Sequence, residues 1–208
     1  MQTMNSSDIV RMLTVIADSM SEKRSLLIEL DSAIGDGDLG ITMEKGFSAA
    51  AEFAKRNETL EPGMILMKSG MEIVKVAPST MGTLMGTGLM RGGKAVVGKA
   101  ELSVADMTLF FEGFLSGVLD RGRAKPGEKT IVDVLIPAVE AMKVYRGDDI
   151  GGLLSCAVAG AEKGIENEKG MISQHGKAAV FREKTRELKD PGSEAVFILI
   201  VACRKSVA

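Results

Sequence analysis

The sequence predicts an all-α fold, a single antiparallel domain of eight helices covering residues 1–208. Three observations support this prediction. Ala, Leu, Met, Lys and Glu are common, whereas the aromatic residues that favour strands are few, with one Tyr, seven Phe and no Trp. Apolar residues recur at helical spacing along most of the chain. Pro, Gly and capping residues interrupt that spacing at intervals suited to helix ends.

The first two predicted helices flank an acidic loop. Ser6, Ser7 and Asp8 offer N-caps for an amphipathic helix over about residues 7–30. Residues 31–40 then carry three glycines and three aspartates, which predicts a loop. The helical period resumes over residues 43–54, so the chain begins as helix, acidic loop, helix.

Five further helices follow from breaks and caps. Glu61-Pro62-Gly63 precedes a third helix, which Pro78 and Ser79 end at about residue 77. Small residues dominate the fourth helix and allow close backbone approach. Ser103 caps the fifth helix. The fourth to seventh predicted helices span about residues 82–98, 103–121, 130–145 and 148–169.

The last part of the chain gives two less regular patterns. Residues 170–192 lose the helical period and gain charge, which predicts a loop long enough to need a functional reason. Residues 195–202 are apolar throughout and rich in Val and Ile, so propensity alone favours a strand. Because seven helices precede this run, a buried eighth helix is the better prediction.

Composition excludes several classes of protein. Lys and Arg number 26 against 28 Asp and Glu, so no strong basic field attracts nucleic acid or an acidic membrane surface. The N-terminus lacks a basic and apolar leader pattern, and no segment is apolar for long enough to span a bilayer. We therefore expect a cytoplasmic location. Cys156 and Cys203 are expected to be reduced thiols in the core.

The acidic loop indicates a metal site. Asp31, Asp36 and Asp38 place three carboxylates within eight positions, where they repel one another unless a cation lies among them. Oxygen ligands without His or Cys suit Mg²⁺ or Ca²⁺. An EF-hand does not fit, because Gly40 and Ile41 stand where an oxygen ligand and a glycine belong. Mg²⁺ is favoured, since it commonly keeps water and phosphate oxygens as its other ligands.

The same loop has two other interpretations. A solvated acidic turn that caps the following helix is the simplest alternative, because the helix dipole favours Asp at an N-terminus. Gly35, Gly37 and Gly40 also match G-x-G-x-x-G, but that dinucleotide motif requires a preceding strand and here follows a helix. A second candidate site is residues 78–83, where a helix N-terminus offers a phosphate seat, although Ser and Thr are also ordinary caps.

Several motifs together resemble the ADP-binding L subunits of dihydroxyacetone kinases over nearly the whole chain. In order, they are the acidic loop, Gly82-Thr-Leu-Met-Gly86, Arg121-Gly-Arg-Ala-Lys-Pro-Gly-Glu-Lys-Thr130 followed by Asp133 and Pro137, and Asp190-Pro191-Gly192. The resemblance implies an eight-helix barrel with ADP or ATP and two Mg²⁺ ions at one end. It assigns the metal ions to Asp31, Asp36 and Asp38. The nucleotide-binding positions it implies are Leu39, Gly40, Thr42, Thr80, Met81, Gly82, Gly122, Ile131, Lys177, Asp190 and Pro191.

The resemblance also implies partners. A separate K subunit would hold a small ketone or ketose, and this chain would supply the phosphoryl group from its nucleotide. Either ATP is consumed as the donor, or bound ADP is rephosphorylated by a phosphotransferase-system subunit. Phosphoryl transfer depends mainly on metal ions and positioning, so no catalytic nucleophile or base is expected from this chain.

The chain departs from the family pattern at several of these positions. Leu39 replaces a usual His, Thr42 replaces Asn, and Lys177 replaces Arg, while Pro78-Ser-Thr-Met81 replaces Gly-Gly-Ala-Ser. These replacements predict a divergent paralogue. A second hypothesis is a regulatory or docking protein that has kept the fold and lost transfer, and a third is a simple divalent-cation-binding domain. His175, the single histidine, is predicted to be a surface or lid residue rather than a phosphocarrier.

Overall fold

The computed structural model, which describes residues 1–208, consists of nine α-helices and one pair of two-residue strands. The strands are β1 (Thr3–Met4) and β2 (Leu102–Ser103), paired antiparallel. The helices are α1 (Ser6–Glu22), α2 (Arg24–Ile34), α3 (Leu39–Arg56), α4 (Pro62–Val76), α5 (Thr80–Ala95), α6 (Val104–Gly122), α7 (Ile131–Val144), α8 (Ile150–Asn167) and α9 (Pro191–Lys205). A 3₁₀ helix, Lys177–Glu187, lies between α8 and α9.

Eight of the helices form a closed ring. From α3 to α9 each helix packs on the next, α1 packs on both α3 and α9, and α2 lies at one end against α3 and α9. This arrangement confirms the predicted all-α barrel. None of the helices combines the length and the apolar character that a bilayer crossing requires.

Side-chain caps begin the helices at the predicted breaks. Ser103 accepts a hydrogen bond from the backbone N–H of Asp106, whose carboxylate accepts in return from the N–H of Ser103. Thr130 and Asp133 make the same reciprocal pair at the start of α7. Each such cap satisfies donors that the first helical turn leaves free, which contributes about 1 kcal/mol.

The interior of the ring is one apolar cluster of 45 buried residues. Phe110 and Phe111 meet edge to face with ring centroids 5.1 Å apart, and Phe47 and Phe114 are fully buried in the same cluster. The run over residues 195–202 is helical and mostly buried, as predicted, because α1, α7 and α8 enclose α9.

Three predicted boundaries were wrong in detail. The helix expected over residues 7–30 is broken at Lys23, whose φ of −92° and ψ of 6° end α1 and begin α2. Asp31 lies in the last turn of α2 rather than in the loop, which shortens to residues 35–38. The glycine-rich helix spans Thr80–Ala95, so it begins two residues before the predicted start and ends three residues before the predicted end. A one-residue break such as that at Lys23 does not disturb hydrophobic periodicity, so the apolar pattern gave no sign of this break.

Candidate functional site

The three predicted metal ligands lie together at the junction of α2 and α3. One carboxylate oxygen from each of Asp31, Asp36 and Asp38 lies within 4.8 Å of the other two. Asp36 and Asp38 are exposed and Asp31 is partly buried. Three hard oxygen ligands facing one point form a donor set suited to Mg²⁺, which can complete its coordination with water or phosphate oxygens.

Local backbone geometry produces this convergence. Gly37 adopts a φ of +74°, which folds the linker so that Asp36 and Asp38 return towards α2. A Cβ at Gly37 would lie 2.5 Å from Ser32 Oγ, so the position lacks room for a side chain as well. The backbone N–H of Leu39 donates to Asp31 Oδ2 at 3.2 Å and fixes the inner carboxylate.

A single ammonium group lies on this acidic cluster. Lys177 Nζ pairs with Asp36 Oδ2, and this hydrogen bond holds the pKa of Asp36 below its ordinary value and raises the pKa of Lys177. Burial, together with the charges of Asp36 and Asp31, raises the pKa of Asp38. One positive charge against three carboxylates leaves the cluster negative, which favours further cations.

A cavity of about 940 Å³ opens beside the cluster. Its wall includes the N-terminal residues of three helices, Thr80 of α5, Ile131 of α7 and Pro191 of α9. Backbone N–H groups at helix N-termini favour anions, so the starts of α5 and α7 suit a phosphorylated ligand. The start of α9 is less suited, because Pro191 has no N–H and the Asp190 carboxylate caps the helix. Residues 175–178 line the cavity as well and belong to residues 170–189, which we call the capping segment.

The structure brings most of the predicted nucleotide positions into this cavity. The lining includes the three aspartates and Leu39, Thr80, Met81, Gly122, Ile131, Lys177, Asp190 and Pro191. Gly40, Thr42 and Gly82 lie outside the lining. Gly40 packs on the backbone carbonyl of Arg24, and Gly82 packs on that of Ala77. A side chain at either position would clash with that neighbouring backbone. Thr42 is 9% exposed in the first turn of α3.

Lys129 and His175 also border the cavity. The sequence predicts His175 as a surface or lid residue and gives Lys129 no role at the site. Lys129 is buried, with 2% of its surface exposed, although it stands in a basic segment that looks solvated. His175 Nε2 lies 2.6 Å from Glu128 Oε2, a pair that joins the capping segment to the loop before α7. The surrounding sequence gives no signal for either contact, because both partners are distant along the chain.

Glu168, Ser193 and Asp190 form a buried polar cluster next to the cavity, which Asp190 lines. Ser193 Oγ contacts the carboxyl group of Glu168, and Ser193 N donates to Asp190 Oδ2 at 2.8 Å. Burial raises the pKa of Glu168 to about 8, with the charges of Asp190 and Asp133 acting in the same direction. Burial also raises the pKa of Asp190 to about 6.

The raised pKa of Glu168 predicts that stability falls as the pH rises. The folded state holds this proton more tightly than the unfolded chain, so the stabilisation is complete below the ordinary pKa of 4.5 and is lost as pH passes about 8. We expect the free energy of unfolding to fall by on the order of 1–3 kcal/mol between about pH 6 and 8. Glu168→Gln keeps the shape without the titration and should flatten this slope in urea unfolding experiments.

Glu166→Gln is the matched control for that measurement, because Glu166 lies in the last turn of α8, two residues before Glu168, with a largely exposed side chain. It should retain the wild-type slope. Equal slopes for wild type and Glu168→Gln would contradict the assignment.

Fold and site together define a class: an eight-helix barrel with an acidic triad beside a cavity at one end. A family model described as the DAK2 domain matches residues 33–205. The chain belongs to the DAK2 domain family.

Similar proteins include bacterial kinase subunits. The chain is 29% identical over 95% of its length to the ADP-binding subunit of the PEP-dependent dihydroxyacetone kinase of Escherichia coli, of which it covers 95%. It is 30% identical over 87% of its length to the ADP-binding subunit of PEP-dependent dihydroxyacetone kinase 2 of Listeria innocua, of which it covers 85%.

A solved structure shares the fold. The dihydroxyacetone kinase of C. freundii in complex with AMP-PNP and Mg²⁺ superimposes with a TM-score of 0.69 over 95% of this chain, at 19% identity. The chain spans 33% of the length of that protein.

Proposed function

We propose that this protein is the nucleotide-binding subunit of a dihydroxyacetone-type kinase. It binds ADP or ATP with two Mg²⁺ ions and passes a phosphoryl group to a small ketone or ketose held on a separate K-type subunit. The observation that carries the proposal is the convergence of Asp31, Asp36 and Asp38 beside a cavity ringed by helix N-termini, in a member of the DAK2 family.

The donor set fits the proposed metal ions. Asp31, Asp36 and Asp38 would hold them, and Mg²⁺ supplies charge neutralisation of the phosphate oxygens. The N–H groups at the start of α5 and the ammonium of Lys177 face the same space and would orient the phosphates. Met81, Ile131 and Pro191 give the cavity an apolar side for a nucleoside.

The positions outside the lining keep a supporting role in this proposal. Thr42 follows the acidic linker, and Gly40 and Gly82 let the first turns of α3 and α5 approach neighbouring backbone. Their predicted nucleotide contacts would then be made through the backbone near Leu39 and Met81, which do border the cavity.

One observation favours a second function, a regulatory or docking paralogue. Leu39 is 4% exposed and supplies no polar side-chain atom where the family pattern has His. A chain that keeps Mg²⁺-dependent nucleotide binding but lacks this polar side chain beside the cavity would bind nucleotide and contact a partner without transferring a phosphoryl group.

Calorimetry and reconstitution test these functions in order. We expect ADP to bind the purified protein in the micromolar range with Mg²⁺ and far more weakly with EDTA. Addition of a K-type subunit, with ATP or with a phosphotransferase-system donor, should then phosphorylate a short ketose. Mg²⁺-dependent binding without turnover in either assay would support the regulatory function. Metal binding without any effect on nucleotide would overturn both.

A further inference from the structure

We propose that Lys129 is a positioning residue that ties both ends of the capping segment to the barrel and so fixes residues 175–178 over the cavity. Its effect on nucleotide binding rests on the function proposed above. Its effect on the capping segment can be measured without any nucleotide.

The side chain of Lys129 gathers three backbone carbonyls from the two ends of the segment. Its Nζ donates to the carbonyl oxygen of Thr185 at 2.6 Å, of Met171 at 3.2 Å and of Arg186 at 3.4 Å. An ammonium group has three donors, so this set uses all of them. Residues 171 and 185 are far apart along the chain, and one buried group holds them together.

Other contacts join the two ends of the capping segment, and we call this junction the neck. Ser173 N donates to Thr185 Oγ1 at 3.0 Å, and Arg186 Nη1 donates to the carbonyl oxygen of Gly170 at 2.6 Å. These bonds join the two ends of the segment to each other. Among these residues only Lys129, in the loop before α7, lies outside the segment. Together with Glu128, whose carbonyl accepts from Gln174 N and whose carboxylate pairs with His175, it sets where the closed neck lies relative to the cavity.

The backbone of Lys129 is consistent with a positional role. Its φ of +56° is left-handed, a conformation that costs a residue with a side chain about 1 kcal/mol. The side chain of Lys129 is buried, and the next residue, Thr130, caps α7 and borders the cavity. Lys129 therefore joins a wall of the site to its cover.

Charge and burial show why an apolar residue would not serve. Burial lowers the pKa of Lys129, whereas nearby Glu168, Asp190 and Glu187 favour its charged form. A methionine of similar length would avoid the desolvation of an ammonium but would remove the Nζ donor from three carbonyls, of which only that of Thr185 is buried and keeps a second donor, the N–H of Leu188. The cost of those carbonyls falls on the capping segment, not on the apolar core.

Hydrogen exchange of the nucleotide-free protein tests the tether directly. In Lys129→Met we expect the amides of residues 171–187 to exchange about tenfold faster or more, while those of α4 and α5 keep the wild-type rate. Lys125→Met is the matched control, because Lys125 stands in the same loop and is exposed. Lys129→Arg keeps the charge and should restore part of the protection.

A second measurement links the tether to the site. Mg²⁺-ADP should dissociate about tenfold faster from Lys129→Met than from Lys125→Met in stopped-flow experiments. Unchanged exchange in the capping segment would overturn the proposal, as would faster exchange with unchanged dissociation. Should wild type bind no Mg²⁺-ADP, the proposed function fails while the exchange result still decides the tether. Should Lys129→Met not fold, Lys129→Gln keeps a side-chain N–H donor at the same position but fewer donors, and the amides of residues 171–187 must still exchange faster in it than in wild type.

Discussion

Asp36→Asn is expected to weaken Mg²⁺-dependent ADP binding by about 100-fold or more, because loss of a direct ligand exceeds the 10–100-fold effect typical of outer-shell changes. Asparagine keeps the size of the side chain but removes one of the three negative charges that face a common point. It also removes the anionic partner of Lys177. Calorimetric titration of ADP with excess Mg²⁺ measures the effect.

The loss cannot be attributed to unfolding. Asp36 is exposed and its pair with Lys177 lies at the surface, where an ion pair contributes little, so the metal-free variant should be about as stable as wild type. Asp18→Asn removes the same charge from an exposed position of α1 and should leave ADP affinity unchanged. If Asp36→Asn binds Mg²⁺-ADP as tightly as Asp18→Asn, the metal site is not where we place it.

The sequence was a good guide to the helices because their signals are local. Ser103 and Thr130 each stand three residues before an aspartate at the start of an apolar helical period, and both begin helices in the structure. The helical state of the apolar run in α9 was predicted from its context and not from local propensity. Its Val and Ile favour a strand, but packing against α1, α7 and α8 decided the outcome.

Other features depend on residues that meet only in three dimensions. The break at Lys23 leaves the apolar period unchanged, and the pairing of β1 with β2 joins residues about 100 positions apart. Lys129 belongs to the motif over residues 121–130, but that motif does not show that a segment more than 40 residues further along the chain buries it. No local pattern records such contacts.

The candidate site combines both kinds of information. The acidic loop is local, so Asp31, Asp36 and Asp38 were predicted as a group and lie as a group. The cavity instead combines the starts of α5, α7 and α9, and composition alone could not show which predicted positions reach it. Resemblance to a family supplied those positions, and packing separates those that line the cavity from Gly40 and Gly82, which serve close helix contact.

Gly86→Val is expected to destabilise the protein by about 3 kcal/mol or more, because α4 and α5 touch through their backbones at this point. A Cβ at Gly86 would lie 2.7 Å from the carbonyl oxygen of Gly70 and 2.5 Å from Val74 Cγ2. A Cβ at Gly70 would in turn lie 2.5 Å from the carbonyl oxygen of Gly86. Removing glycine from a helix gains only up to about 1 kcal/mol, so the clash prevails.

Urea unfolding followed by circular dichroism measures this effect, with Met71→Val as the control. Met71 is 45% exposed on α4 beside Gly70, so the same branched residue there should cost less than about 1 kcal/mol. Equal unfolding midpoints for the two variants would contradict the close approach. Because Thr80 and Met81 begin the helix that carries Gly86, a displaced α5 should also weaken Mg²⁺-ADP binding in whatever fraction of Gly86→Val remains folded.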